Sequence, residues 1–107
     1  MWYIFPQLRG LGKSVESHIF GIEDLDEARA YLEHPILAQR LYEITEELLK
    51  GKESNPQKIF GVIDAMKLRS SMTLFALVSE EKSIFHCVLN KFYCGVLDEK
   101  TLERLKR

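Results

Sequence analysis

The sequence predicts an all-α fold, a compact single domain of four to six helices with an extended N-terminal segment, spanning residues 1–107. Three observations support this fold class. Apolar residues recur at intervals of three and four, which is the period of a helix that buries one face. Helix-capping residues stand at the ends of these stretches. The 107 residues, 46% of them hydrophobic and 29% charged, match the size and composition of one globular domain.

The clearest predicted helix begins at Pro35 and ends at Gly51. Proline suits the first helical position because its missing N–H would have no partner there, and glycine suits the position after a helix. A shorter helix precedes it, with Asp24 and Glu27 forming a capping box, and it runs to about His34. The apolar face of the longer helix consists of Leu37, Leu41, Ile44 and Leu48.

The middle of the chain predicts a short helical turn followed by a longer helix. Asn55 and Pro56 are suited to begin the turn, and Gly61 is suited to close it. Asp64 is then a candidate cap for the longer helix. The segment 72–78 is also compatible with a buried strand, but the helical spacing upstream of it favours a helix.

The C-terminal third predicts two more helices. Ser79 is the predicted cap of the first, which Gly95 closes, and Asp98 is the predicted cap of the second. Residues 1–14 carry no helical period and contain one proline and two glycines, so they predict an extended entry followed by a loop.

Composition and charge exclude several classes of protein. Fifteen basic and 16 acidic residues give a net charge of −1, which argues against nucleic acid as a partner. No apolar stretch approaches the roughly 20 residues that span a bilayer, and the first residues lack the basic region of a signal peptide. The expectation is a cytoplasmic protein with no membrane partner.

Cysteine and histidine usage predicts no metal site, and no cofactor is expected. Cys87 and Cys94 are too few for a disulfide scaffold, and seven residues along a helix separate them by about 10 Å, too far for a bond. The spacing of His18, His34 and His86 does not match that of zinc ligands.

The densest cluster of polar donors is a candidate site for an anionic ligand. It contains one lysine, one arginine and three hydroxyls within seven residues, namely Lys67, Arg69, Ser70, Ser71 and Thr73. Arginine offers a two-pronged contact to phosphate or carboxylate, and hydroxyls add directional donors. The alternative is that the charges are solvated and the hydroxyls bond to helix carbonyls or fill gaps in the packing.

Five other residues are candidates for the same site. Asp64 and His34 are the candidate catalytic acid–base groups, with helix capping as the alternative for each. Trp2 and Tyr3, with Gln7, are candidates for the wall of a ligand pocket, with core packing as the alternative.

Four blocks of sequence carry a family signature. They are Trp2–Gln7 with Leu11, Gly12 and Ser14; residues 27–41 around His34 and Pro35; residues 59–75 around Asp64 and Arg69; and residues 85–102. In this order, and over essentially the whole chain, they resemble the bacterial "domain of unknown function 1810" family, some of whose members are mislabelled calpastatin.

The resemblance implies a mainly helical, compact, cytoplasmic protein with no established activity. Members of that family usually carry a helical segment before the Trp2 block, which this sequence lacks. Cys94 stands where a glycine is usual, and Val62 and Ile63 stand where a more polar turn is usual. Neither of these two substitution differences removes a candidate donor, and the missing helical segment is the larger departure.

Two functional hypotheses follow from the sequence. The first is a pocket that binds, or also processes, an anionic small molecule, such as a nucleotide or an ADP-ribose-like compound. A weaker similarity to the NADAR proteins, which are linked to ADP-ribose derivatives, points the same way. The second is a non-enzymatic protein–protein interaction module, which predicts an exposed apolar patch or a symmetric homo-oligomer.

Overall fold

The computed structural model describes residues 5–6 and 21–106, and this part of the chain forms five helices and no strand. The all-α fold is therefore confirmed. The predicted extended entry lies outside the described residues, apart from Phe5 and Pro6. In chain order the helices are α1 (Leu25–Glu33), α2 (Pro35–Lys50), α3 (Pro56–Leu77), α4 (Ile84–Tyr93) and α5 (Glu99–Leu105).

The first two helices begin at the predicted caps. The Asp24 carboxylate accepts from the Glu27 N–H at 2.9 Å, and the Glu27 carboxylate accepts from the Glu23 N–H at 3.1 Å. His34 ends α1 and caps α2, where its Nδ1 accepts from the Leu37 N–H at 3.3 Å. Each bond satisfies an N–H that the first helical turn leaves without a partner.

Helix α3 contains the predicted glycine break. Gly61 has φ 81° and ψ 171°, a backbone geometry that favours glycine, and the side chain of Asn55 caps the turn before it. The helix then continues to Leu77, so the segment 72–78 is helical rather than a strand. The predicted cap at Asp64 is wrong: helical geometry resumes directly after Gly61, which places Asp64 inside the first turn.

The start of α4 also differs from the prediction. The helix begins at Ile84, and Ser83 rather than Ser79 is its cap, because the Ser83 hydroxyl accepts from the His86 N–H and also lies 2.7 Å from the His86 ring. The helix closes as predicted at Gly95, after a left-handed Cys94. Cys87 and Cys94 are free thiols.

The core lies where α3 packs against α4, and α2 also packs against α4. The Phe75 ring is fully buried and lies 5.5 Å from the Phe85 ring and 5.4 Å from the Tyr31 ring, measured between centroids. Leu41 and Leu68 are buried beside them. These rings fix α3 and α4 relative to each other.

Lys91 on α4 holds the end of α2. Its ammonium donates to the carbonyl oxygens of Leu48 at 3.2 Å and Leu49 at 3.0 Å, and also to that of Gly51. A cation at a helix C-terminus satisfies carbonyls that have no partner within the helix. This contact fixes the start of the loop between α2 and α3. No helix of the described residues is long and apolar enough to cross a membrane.

Candidate functional site

The predicted donor cluster lies on α3, and part of it faces the segment that precedes α5. The Arg69 guanidinium donates from Nε to the Val96 carbonyl oxygen at 3.1 Å and from Nη2 to the Leu97 carbonyl oxygen at 2.9 Å. These bonds join residues 27 and 28 positions apart. They fix the guanidinium in one position.

Two of the three predicted hydroxyls hold Asp98, the cap of α5. The Ser70 hydroxyl lies 3.0 Å from the Asp98 carboxylate, and the Asp98 N–H donates to the Thr73 hydroxyl at 2.9 Å. The same carboxylate oxygen accepts from the Thr101 N–H at 3.0 Å and from its hydroxyl at 2.7 Å. The carboxylate beside these hydroxyls is therefore one of the protein's own.

The third hydroxyl faces the core. Ser71 is fully buried, and its oxygen has no hydrogen-bond partner among the described residues. A buried hydroxyl without a partner costs free energy, because it has lost its bonds to water. The three predicted hydroxyls therefore do not converge on one cavity.

The remaining predicted residues lie apart from one another. Lys67 and Asp64 form an ion pair of 3.7 Å on the exposed side of α3, where solvent weakens it. His34 is exposed at the junction of α1 and α2, where it acts as a cap. The predicted wall residues, Trp2, Tyr3 and Gln7, lie outside the described residues.

Arg69 also lines a cleft of about 500 Å³. We name it the Arg69 cleft. The loop between α2 and α3 forms one wall, α3 the second and the end of α4 the third. Its lining comprises residues 54–57, Val62, Ala65, Met66, Arg69, Phe92 and Tyr93, among which Arg69 is the one charged residue.

The Tyr93 ring packs against the Arg69 guanidinium. The guanidinium carbon lies 5.9 Å from the centre of the Tyr93 ring, within range of a cation–π contact. The Tyr93 hydroxyl donates to the Ala65 carbonyl oxygen. Burial raises the pKa of Tyr93, and the nearby Arg69 charge lowers it by less. The phenol therefore stays neutral at physiological pH.

The residues that line two other cavities carry a net negative charge. One of about 630 Å³ along α2 is lined by three glutamates, Arg40 and Lys50. Another of about 550 Å³ between α1 and α4 is lined by three glutamates, Arg29 and Lys82. Of the three cavities, the Arg69 cleft is the one whose lining carries a net positive charge. Among the described residues, no group of three or more histidine, cysteine or acidic side chains could hold a metal ion.

The sequence did not indicate several residues of this cleft. Ser54 lies in the loop before α3 and Gln57 in the first turn of α3, and no local pattern places either beside Arg69. Phe92 and Tyr93 belong to a predicted helix, and their position at its last turn is set by the packing of α3 on α4. In each case the position of the residue depends on contacts with residues that are distant in the sequence.

Fold and cleft together define a small helical protein whose described residues include a positively charged cleft. The chain belongs to the family described as "Protein of unknown function (DUF1810)", whose model matches residues 1–105. The protein is thus a conserved one of unknown function. Comparison with curated proteins gave no match.

A solved structure is closely similar to this chain. It is the crystal structure of the conserved hypothetical protein Rv1873 from Mycobacterium tuberculosis, which aligns with a TM-score of 0.93 and 42% sequence identity. The alignment covers 99% of this chain and 76% of that one.

Proposed function

We propose that this protein binds a small anionic organic molecule, such as a nucleotide or an ADP-ribose-like compound, in the Arg69 cleft. One observation carries the proposal: a single fixed arginine is the only charged group lining a cleft of about 500 Å³. That volume lies within the range of roughly 300–1,000 Å³ that is typical of small-molecule sites.

Arg69 is suited to bind phosphate or carboxylate. An arginine has five N–H donors in a planar fork, and the Val96 and Leu97 carbonyls accept from two of them. The donors that remain can serve a ligand. Because the side chain is already held by those carbonyls and by the Tyr93 ring, binding costs it less conformational entropy than a free arginine would lose.

The other walls of the cleft suit an organic body attached to the anion. Val62, Met66 and Phe92 offer apolar surface, and Ser54 and Gln57 offer polar side chains at the rim. The exposed surface of the cleft is more polar than apolar, which suits a polar ligand. A volume of about 500 Å³ leaves room for a ligand larger than inorganic phosphate.

The proposal is one of binding, with no reaction assigned. Asp64 and His34, the candidate acid–base groups, are not among the residues that line the cleft. A general acid or base acts within hydrogen-bond reach of the reacting atom. Their predicted catalytic roles therefore gain no support from the cleft.

Calorimetric titration at low salt tests the proposal, with AMP, ADP-ribose and pyrophosphate as probes. The variants are Arg69→Gln and its matched control Lys67→Gln, which removes the same charge two residues away and outside the lining of the cleft. The variant Gln57→Ala changes the rim and leaves Arg69 in place. Thermal melts establish that each variant is folded.

We expect saturable binding of at least one organic probe. Arg69→Gln should weaken it about 10- to 100-fold, since a hydrogen bond to a charged group is worth about 1.5–3 kcal/mol. Gln57→Ala should weaken it less, and Lys67→Gln should leave it nearly unchanged. The proposal is wrong if no probe binds, or if both charge-removing variants weaken binding equally.

The alternative function, a protein–protein interaction module, is favoured by a separate observation. Four large aliphatic side chains are exposed on α3, namely Ile59, Val62, Ile63 and Met66, and Val62 and Met66 also line the cleft.

A further inference from the structure

Arg69 has a positive charge that no carboxylate of the described chain neutralises. Its hydrogen bonds go to the carbonyl oxygens of Val96 and Leu97, which carry no net charge. The ion pairs among the described residues do not include Arg69, and none of the described residues that line its cleft is acidic. A partly buried charge without a partner of opposite sign costs free energy. An anion in the cleft would supply the missing charge.

The two carbonyls occupy one edge of the guanidinium. The N–H of Nε and one N–H of Nη2 lie parallel on that edge, and Val96 and Leu97 accept from these two atoms. The end of the planar group carries a second parallel pair, one N–H from Nη1 and the other N–H of Nη2. This end pair has no hydrogen-bond partner among the described residues. Its geometry matches two oxygens of one carboxylate or one phosphate.

We propose that the ligand of the Arg69 cleft carries a single terminal anionic group, a carboxylate or one phosphate, which the end pair of Arg69 binds through two parallel hydrogen bonds. The inference rests on the proposed function and narrows its class of ligand. Hydrogen bonds between charged partners are roughly twice as strong as those between neutral ones, so one such group dominates recognition. A second phosphate on the same ligand adds no affinity.

The limit of one anionic group follows from the rest of the lining, which is uncharged. Ser54, Asn55 and Gln57 supply a hydroxyl and two carboxamides, which suit the neutral polar part of a ligand. A second phosphate would lie either beside these neutral groups or in solvent. It would meet no cation in the first place and would keep its water in the second, so it would gain nothing on binding.

Two lysines of α3 are close in sequence to the lining residues but are not part of the lining. Lys58 is exposed, and Lys67 pairs with Asp64 at 3.7 Å. Solvent and salt weaken the attraction between an exposed ammonium and a phosphate that it does not contact. We therefore expect neither lysine to bind a second phosphate, and Lys58→Gln is the variant that checks this.

Calorimetric titration of the wild type tests the limit with a series of adenosine compounds. AMP or adenosine 5′-carboxylate should bind about tenfold tighter than neutral adenosine, or more, and the tighter of the two identifies the anionic group. ADP, ATP and ADP-ribose should bind no tighter than that compound. A site with several cations would instead gain affinity with each added phosphate.

Two variants test the geometry of the contact. Arg69→Lys keeps the positive charge but lacks the parallel N–H pair, and it should weaken binding of the tighter compound about tenfold. Lys58→Gln should leave the affinities for all the compounds nearly unchanged. Thermal melts show that each variant is folded, and the series with the wild type stands without them.

The outcomes separate this inference from the proposed function. Tighter binding of ATP or ADP-ribose than of AMP, a loss of affinity for ADP or ATP in Lys58→Gln, or full affinity in a folded Arg69→Lys would each overturn the single anionic group and leave an anion site in the cleft. No saturable binding of any compound, or adenosine binding as tightly as its charged analogues, would contradict the proposed function and this inference with it.

Discussion

The two ends of α3 differ in burial: large apolar side chains are exposed near its start, and apolar and polar side chains alike are buried near its end. Near its start, Ile63 is 70% exposed; near its end, Ser71 and Thr73 are fully buried. The difference arises from what lies against each end. Helix α4 and the segment before α5 cover the C-terminal end, whereas Val62, Ile63 and Met66 near the start of the helix remain exposed. Arg69 lies at the boundary, with its guanidinium bonded to the covering segment and one side facing the cleft.

The largest difference in the free energy of unfolding is expected between a substitution of an aromatic residue at the buried end of α3 and one of an aliphatic residue at its exposed end. Phe75→Ala removes a fully buried ring that packs on Tyr31 and Phe85, and it should lower the free energy of unfolding by about 3–5 kcal/mol. Ile63→Ala should lower it by less than about 0.5 kcal/mol at concentrations where the chain is monomeric. Urea unfolding measures both. Equal losses would contradict the assignment of buried and exposed ends.

The next effect compares two aspartates that the sequence predicts as helix caps. Asp98→Ala removes the α5 cap and the acceptor for Ser70 and Thr101, so it should cost about 2 kcal/mol. Asp64→Ala removes an ion pair that solvent weakens, and it should cost less than about 1 kcal/mol. Thermal unfolding of the two variants gives the order. A larger loss for Asp64→Ala would contradict the account that Asp98 makes the stabilising contacts and that solvent weakens the Asp64 ion pair.

The smallest difference in stability is expected between alanine variants of two neighbouring serines, Ser70 and Ser71. Ser70→Ala removes a hydroxyl that bonds to Asp98, and it should destabilise the protein by about 1 kcal/mol. Ser71→Ala removes a buried hydroxyl with no partner among the described residues, and it should be neutral or stabilising by up to about 1 kcal/mol. Denaturant midpoints of both variants, compared with the wild type, resolve the sign. Destabilisation by Ser71→Ala would mean that its hydroxyl has a partner.

Features set by neighbouring residues could be predicted from the sequence. The caps at Asp24 and Asp98 and the break at Gly61 depend on side chains within a few positions, and all three were confirmed. The choice between Ser79 and Ser83 as the cap of α4 also depends on near neighbours, and the prediction failed there. Both serines suit the N-cap position. Helix α4 begins after Ser83, whose hydroxyl also contacts the His86 ring.

Features set by distant residues could not be predicted. Three hydroxyls in four positions are unusual inside a helix and mark the polar cluster on α3, but no local pattern determines what they face. Arg69 meets carbonyls 27 and 28 residues away, and Ser70 meets Asp98. The Arg69 cleft depends on the same long-range packing, so its loop and its α4 wall had no signal in the local sequence.

One measurement tests the central claim, that the open side of Arg69 is a ligand site, most directly. Amide chemical shifts recorded during titration with AMP or ADP-ribose show where the probe binds. We expect saturable shifts at residues 54–57, around Val62 to Arg69 and at Phe92 and Tyr93, with little change at His34. Shifts confined to the cavities along α1 and α2, or no saturable shift at any residue, would contradict the claim.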